Sequence, residues 1–152
     1  MPDAREVVFA LEFRGRGENL PGSTTKRRAR TSAASQTLST LIGPEGVFGA
    51  VEPVTGGERA TLEARVERFG DGTFVEEGEI TYGSAGTVTF TTQGRGWVAP
   101  APTPGAVYGA VVWTITGGAG RFAGARGLIT SNFAVSPTGE VVDYHVARFL
   151  LP

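Results

Sequence analysis

The chain of 152 residues has no cysteine, and it has a single histidine and a single methionine. Without cysteine there are no disulfides, no thiol nucleophile and no iron–sulfur cluster. With His145 as the one imidazole, the His/Cys sets that hold zinc, copper or haem cannot be assembled, so neither a metal nor an organic cofactor is expected. Charge of one sign is also missing: 14 basic residues face 15 acidic ones, for a net charge of -1. Such a balance argues against nucleic acid as a partner. No run approaches the ~20 apolar residues of a membrane helix. The first residues (MPDARE) are polar and lack the apolar core of a secretory signal. The expectation is a cytoplasmic protein without a membrane partner.

What is present is ordinary globular material, 40% hydrophobic and 19% charged, in a length that suits one domain over residues 1–152. Glycine is abundant, with 23 residues. The periodic signals are short and of period two. Residues 6–14 (EVVFALEFR) read as a first strand. In residues 61–69, Leu62, Ala64 and Val66 share a face opposite Thr61, Glu63, Arg65 and Glu67. Gly70-Asp71-Gly72 then turns the chain into a return strand over residues 73–82. Residues 87–93 alternate again, and residues 106–116 (AVYGAVVWTIT) are apolar on both faces, as in a strand covered on both sides. Residues 127–135 and 140–151 form the last pair, joined by Ser136-Pro137-Thr138-Gly139. Strand-length runs separated by turn residues predict an antiparallel sandwich or barrel.

Five stretches lack this rhythm. Residues 15–30 are polar and contain the basic cluster Lys26-Arg27-Arg28-Ala29-Arg30, read as a solvated loop. Residues 33–42 suit a strand or a short helix, and residues 43–57 a loop with a short strand near Val47. Residues 94–105 form a Gly/Pro loop, and Gly117-Gly118-Ala119-Gly120 a turn. An irregular stretch this long inside a compact domain suggests a lid or binding loop.

Familiar catalytic signatures are missing. There is no nucleophile elbow and no P-loop, and the Gly118-x-Gly120-x-x-Ala123 match to a dinucleotide fingerprint joins two strands. Asp143 and His145 share a strand face, an arrangement that orients an imidazole for acid–base work or simply sits in solvent. On the last strand both faces are half apolar. Placing Tyr144 inward puts Asp143 and His145 outside, and a shift of one residue exchanges them.

Gly78-Glu79-Ile80-Thr81-Tyr82-Gly83, Val88-Thr89-Phe90 and the Gly118-x-Gly120-Arg121-Phe122-x-Gly124-x-x-Gly127 pattern together resemble the allene oxide cyclase-like barrel group. That group takes in dirigent proteins, plant allene oxide cyclases and bacterial spirotetronate-type cyclases, and the resemblance covers residues 60–152. It implies an eight-stranded antiparallel β-barrel with a mostly apolar lumen, here with an irregular N-terminal lid over residues 15–42. It also implies cyclisation or stereochemical guidance of a small molecule without metal or organic cofactor. A glutamate on the first strand polarises substrate in the plant enzymes, and Glu12 is its nearest counterpart here. Aromatic walls fold the substrate in the bacterial enzymes, a part open to Tyr82, Trp113 and Tyr144.

The expectation is therefore a cofactor-free cyclase or isomerase acting on a hydrophobic, polyketide-like molecule. Glu12 and Tyr144 are the candidate catalytic residues, with Tyr82, Phe90, Trp113, Asn132 and His145 contacting substrate. The alternatives are a non-catalytic dirigent-like carrier with the same cavity, and a scaffold whose lumen is filled by side chains. Apolar residues facing outward on 106–116 would suit a homodimer or homotrimer.

Overall fold

The computed structural model describes residues 5–33, 41–43, 46–48 and 59–152. The strands in chain order are β1 (Arg5–Asn19), β2 (Lys26–Ala33), β3 (Leu41–Gly43), β4 (Gly46–Phe48), β5 (Ala60–Arg68), β6 (Thr73–Tyr82), β7 (Gly86–Thr92), β8 (Gly96–Pro100), β9 (Val107–Gly120), β10 (Arg126–Val135) and β11 (Glu140–Leu151). β3 and β4 pair only with each other. The remaining strands form one antiparallel sheet in the order β10-β11-β1-β2-β5-β6-β7-β9, and β10 pairs with β9, so the sheet closes into a barrel. β8 lies in the same gap as β7. It pairs with β6 at Thr73–Phe74 and with β9 at Val107–Ala110, below the stretch of both strands that β7 occupies. β7 and β8 are thus one barrel position, interrupted at residues 93–95, and the barrel has eight positions as expected.

The strands read from β5 onward sit close to where the alternation put them. The irregular lid expected over residues 15–42 is not what the described part of that segment forms. β1 continues through Gly15 to Asn19, paired on one side with β11 and on the other with β2. Its Arg-Gly-Arg-Gly-Glu end hides a period-two strand behind small and charged residues. The basic cluster is β2 itself and not a loop: Arg30 reaches Glu63 and Arg28 reaches Glu18. Residues 34–40 and 49–57 of the ambiguous segment lie outside the described residues, and the short strand near Val47 is β4. The Gly/Pro loop contains β8, and the expected turn at residues 117–120 is the end of β9.

Closure gives each strand an inner and an outer face. Inside, the barrel is filled unevenly along its axis. One end is stoppered by Phe9, Tyr82, Phe122 and Phe149, whose ring centroids all lie 4.8–5.9 Å from one another. Phe122 comes from the turn after β9, the Gly-Arg-Phe part of the glycine pattern. A Cβ on Gly118 would stand 2.0 Å from the Phe122 carbonyl oxygen, and Gly120 turns the chain at φ 65°. The pattern is therefore a device for folding one aromatic ring back into the barrel mouth. Above the stopper, Phe90 stacks on Trp113 at 4.1 Å, and Phe13 stacks on His145 at 4.3 Å. The opposite end is open.

Phe122→Ala should lower stability by about 3–5 kcal/mol, since it empties one quarter of a buried aromatic stopper. The urea midpoint reads the loss.

Candidate functional site

The open end holds a cavity between the ends of β1, β5 and β10 and the beginnings of β2, β6 and β11. Its walls include Leu62, Val66, Phe74, Val98, Phe133 and Val141, and its floor carries Thr31, Glu76, Ser131 and Asp143. The cavity volume is ≈ 80 Å³, and the empty space counted out into the solvent of its open mouth is ≈ 650 Å³. The hollow is therefore confined to one end, because the aromatic layers fill the rest of the lumen.

The floor is a set of polar groups that the alternation brings indoors. Glu76 shares the inner face of β6 with Phe74, Ile80 and Tyr82, so its carboxyl is carried inside by its neighbours. It stands where β7 ends. The Thr92 hydroxyl donates to the Glu76 carbonyl at 2.9 Å and accepts from the Glu76 amide at 2.6 Å, standing in for a ladder partner. Burial, and behind it the negative charge of Asp143, push the Glu76 carboxyl up to about 8. The Trp113 indole N–H works the other way, although it has no partner at full hydrogen-bond geometry.

Across the floor, Asp143 accepts a hydrogen bond from the Ser131 hydroxyl at 2.7 Å and lies 2.8 Å from His145 Nε2. All three are buried on adjacent strands, with Ser131 opposite His145 in the ladder. The imidazole is held edge-on to Trp113 as well as flat on Phe13. This is not a nucleophilic triad, because the serine is bonded to the carboxylate and not to the imidazole. Among the described residues the Thr31 hydroxyl, the Trp113 N–H and His145 Nδ1 have no hydrogen-bond partner. Unpaired buried polar groups cost about 1–3 kcal/mol each, so such a concentration around one floor is unusual in a merely structural core. Among the described residues no group of three or more acids and histidines is placed to hold a metal ion.

The expected site residues divide by strand face. Tyr82, Phe90, Trp113 and His145 point inward, but Tyr82 belongs to the far stopper and Phe90 to the stack beneath the floor. Glu12, Asn132 and Tyr144 do not line the lumen. Glu12 is on the outer face, paired with Arg14, and it stands opposite Tyr144 in the ladder. Tyr144 is 53% exposed and Asn132 is exposed beside it. The reason is the phase of β11: Phe149, Ala147 and Leu151 are inside, which brings Asp143 and His145 in and sends Tyr144 out. Glu76, Ser131 and Thr31 were not among the sequence candidates, and Asp143 was considered only as a partner that orients His145. For Glu76 the signal was there, a carboxylate in phase with Phe74, Ile80 and Tyr82.

Because the folded protein holds the Glu76 proton to about pH 8 and the unfolded chain releases it near 4.5, folding should be most favourable below about pH 4.5 as far as this group is concerned. Its contribution should fall as pH rises towards 8 and stay level above, by up to several kcal/mol at 1.36 kcal/mol per pKa unit. Glu76→Gln should flatten that decline, as read from urea midpoints at pH 5, 7 and 9.

No protein-family model matches the chain, and no curated protein matches it in sequence. Among solved structures, it is similar to the pterocarpan synthase dirigent protein GePTS1, with a TM-score of 0.50 and 14% identity over 96% of this chain and 89% of that one. At that identity the likeness concerns architecture: the chain has the closed β-barrel fold of a dirigent protein.

Proposed function

We propose that the open end of the barrel binds a mainly apolar small molecule and that Glu76 acts on it as a general acid, promoting a cyclisation or isomerisation. The carrying observation is the cavity itself, apolar in its walls, with a carboxyl at its floor that burial keeps protonated. A carboxyl that keeps its proton at neutral pH can hydrogen-bond a ligand oxygen and then transfer that proton. Asp143, fixed by Ser131 and His145, is the positioning group that opposes ionisation of Glu76 until the ligand takes the proton. For a hydroxy-epoxide, the Glu76 proton would pass to the epoxide oxygen as its C–O bond breaks. The hydroxyl oxygen would form the new C–O bond, and its proton would return to the carboxylate. The net change is an isomerisation, with no co-reactant. The narrow cavity supplies the remaining effect by restricting how the guest folds.

The second reading is a dirigent-like protein that holds a guest and directs its stereochemistry without proton transfer. The dirigent architecture and the small cavity favour it. Incubation with a short apolar hydroxy-epoxide separates the two. Under the first reading ring closure exceeds the buffer rate, declines as pH rises through about 8, and drops roughly 10²–10⁴-fold in Glu76→Gln. Binding of the same molecule without acceleration overturns it in favour of the second.

A further inference from the structure

We infer that the guest of this cavity carries an anionic group, seated between Arg27 and Arg68 at the mouth while the apolar body points to the floor. The inference rests on the reading of the cavity as a ligand site and adds the chemical class of the ligand.

The two arginines are brought together by the ladder. Arg27 pairs with Val66 on β5, and Arg68 follows two residues on, so they are diagonal neighbours at the rim, and both line the cavity. Arg27 is half-buried and lies over Gly17, where a Cβ would come within 3.4 Å of its Nη2. Burial and the charge of Arg68 both weaken its hold on the proton, although a guanidinium stays charged at any ordinary pH. One N–H of Arg27 is satisfied by Asn19 Oδ1 at 2.7 Å. Among the described residues neither Arg27 nor Arg68 has a carboxylate partner. The acids of this end are otherwise engaged, protonated or turned away: Glu18 is taken by Arg28, Glu77 by Arg65, Asp71 by Arg95 and Asp143 by Ser131 and His145, Glu76 keeps its proton at the floor, and Glu67 and Glu140 are exposed on the outer faces of β5 and β11. Two like charges held side by side over an apolar cavity repel each other unless an anion lies between them. A guanidinium fork matches a carboxylate or sulfonate with paired hydrogen bonds.

Two fluorescent probes with the same aromatic body test this: 1-anilinonaphthalene-8-sulfonate and the uncharged N-phenyl-1-naphthylamine. The sulfonate should bind about tenfold more tightly or better. The double variant Arg27→Gln/Arg68→Gln should erase the difference and leave the affinity for the neutral probe unchanged. Arg68→Gln alone should remove part of it, and in the unaltered protein 0.5 M salt should narrow it. Leu62→Trp, which fills the cavity, should weaken both probes. Equal affinities in the unaltered protein, or a preference that survives the double variant, overturn the inference and leave the cavity reading standing. If Leu62→Trp displaces neither probe, binding is elsewhere, and both the inference and the cavity reading fall.

Discussion

The seam between β1 and β11 is the constraint on which the rest depends. It runs from Arg5 opposite Leu151 to Arg16 opposite Glu140 and joins the first strand to the last, a pairing without which the sheet cannot close. A closed sheet has no edge, and its two faces are unequal because only one faces a lumen. Once the seam is in register, Phe13 lies across from Asp143 and Leu11 across from His145, and all four are inside. A slip of β11 by one residue against β1 would turn Tyr144 inward and send Asp143 and His145 out. The chemistry of the floor is thus a consequence of the closure and not a separate motif.

Along the axis the interior changes character in steps. A four-ring stopper gives way to the Phe90–Trp113 and Phe13–His145 stacks, then to the Glu76, Asp143 and Ser131 floor, and finally to an arginine rim. The aromatic layers supply the burial that holds the cylinder together, and the polar floor weakens it. A buried carboxyl whose ionisation is suppressed and several unpaired polar atoms are tolerated because the layers beneath are tightly packed. The division of labour explains why the cavity does not run through the barrel: a through-channel would give up the rings that make the floor affordable.

Much of this was legible in the sequence, and the failures have physical causes. The strands of β5, β6 and β7 announce themselves because one face is apolar and the other polar, charged in β5 and β6 and threonine in β7. β11 does not, since Val142, Tyr144, Val146 and Leu150 are as apolar as the residues that go inside, and only the partner strands decide. β2 was obscured because Arg27, Arg28 and Arg30 point in different directions, so a strand reads as a charge run. β8 was hidden by Pro100 and the prolines after it, yet a proline at the end of a short interrupted strand gives up no essential ladder bond. The glycine pattern identified the barrel before its purpose, seating Phe122, was apparent. Glu76 was missed by searching for constellations near one another in sequence, whereas its partners Asp143 and Trp113 arrive from β11 and β9.

The chain enters and leaves the barrel on the same side. Arg5 and Leu151 are ladder partners next to the stopper, and Ala33 and Ala60, which bracket the long excursion between β2 and β5, pair at that same end. Arg5, Leu151, Ala33 and Ala60 thus all lie at the sealed base of the cup, away from its mouth. An attachment made there would lie on the side of the barrel opposite the mouth that holds the candidate site.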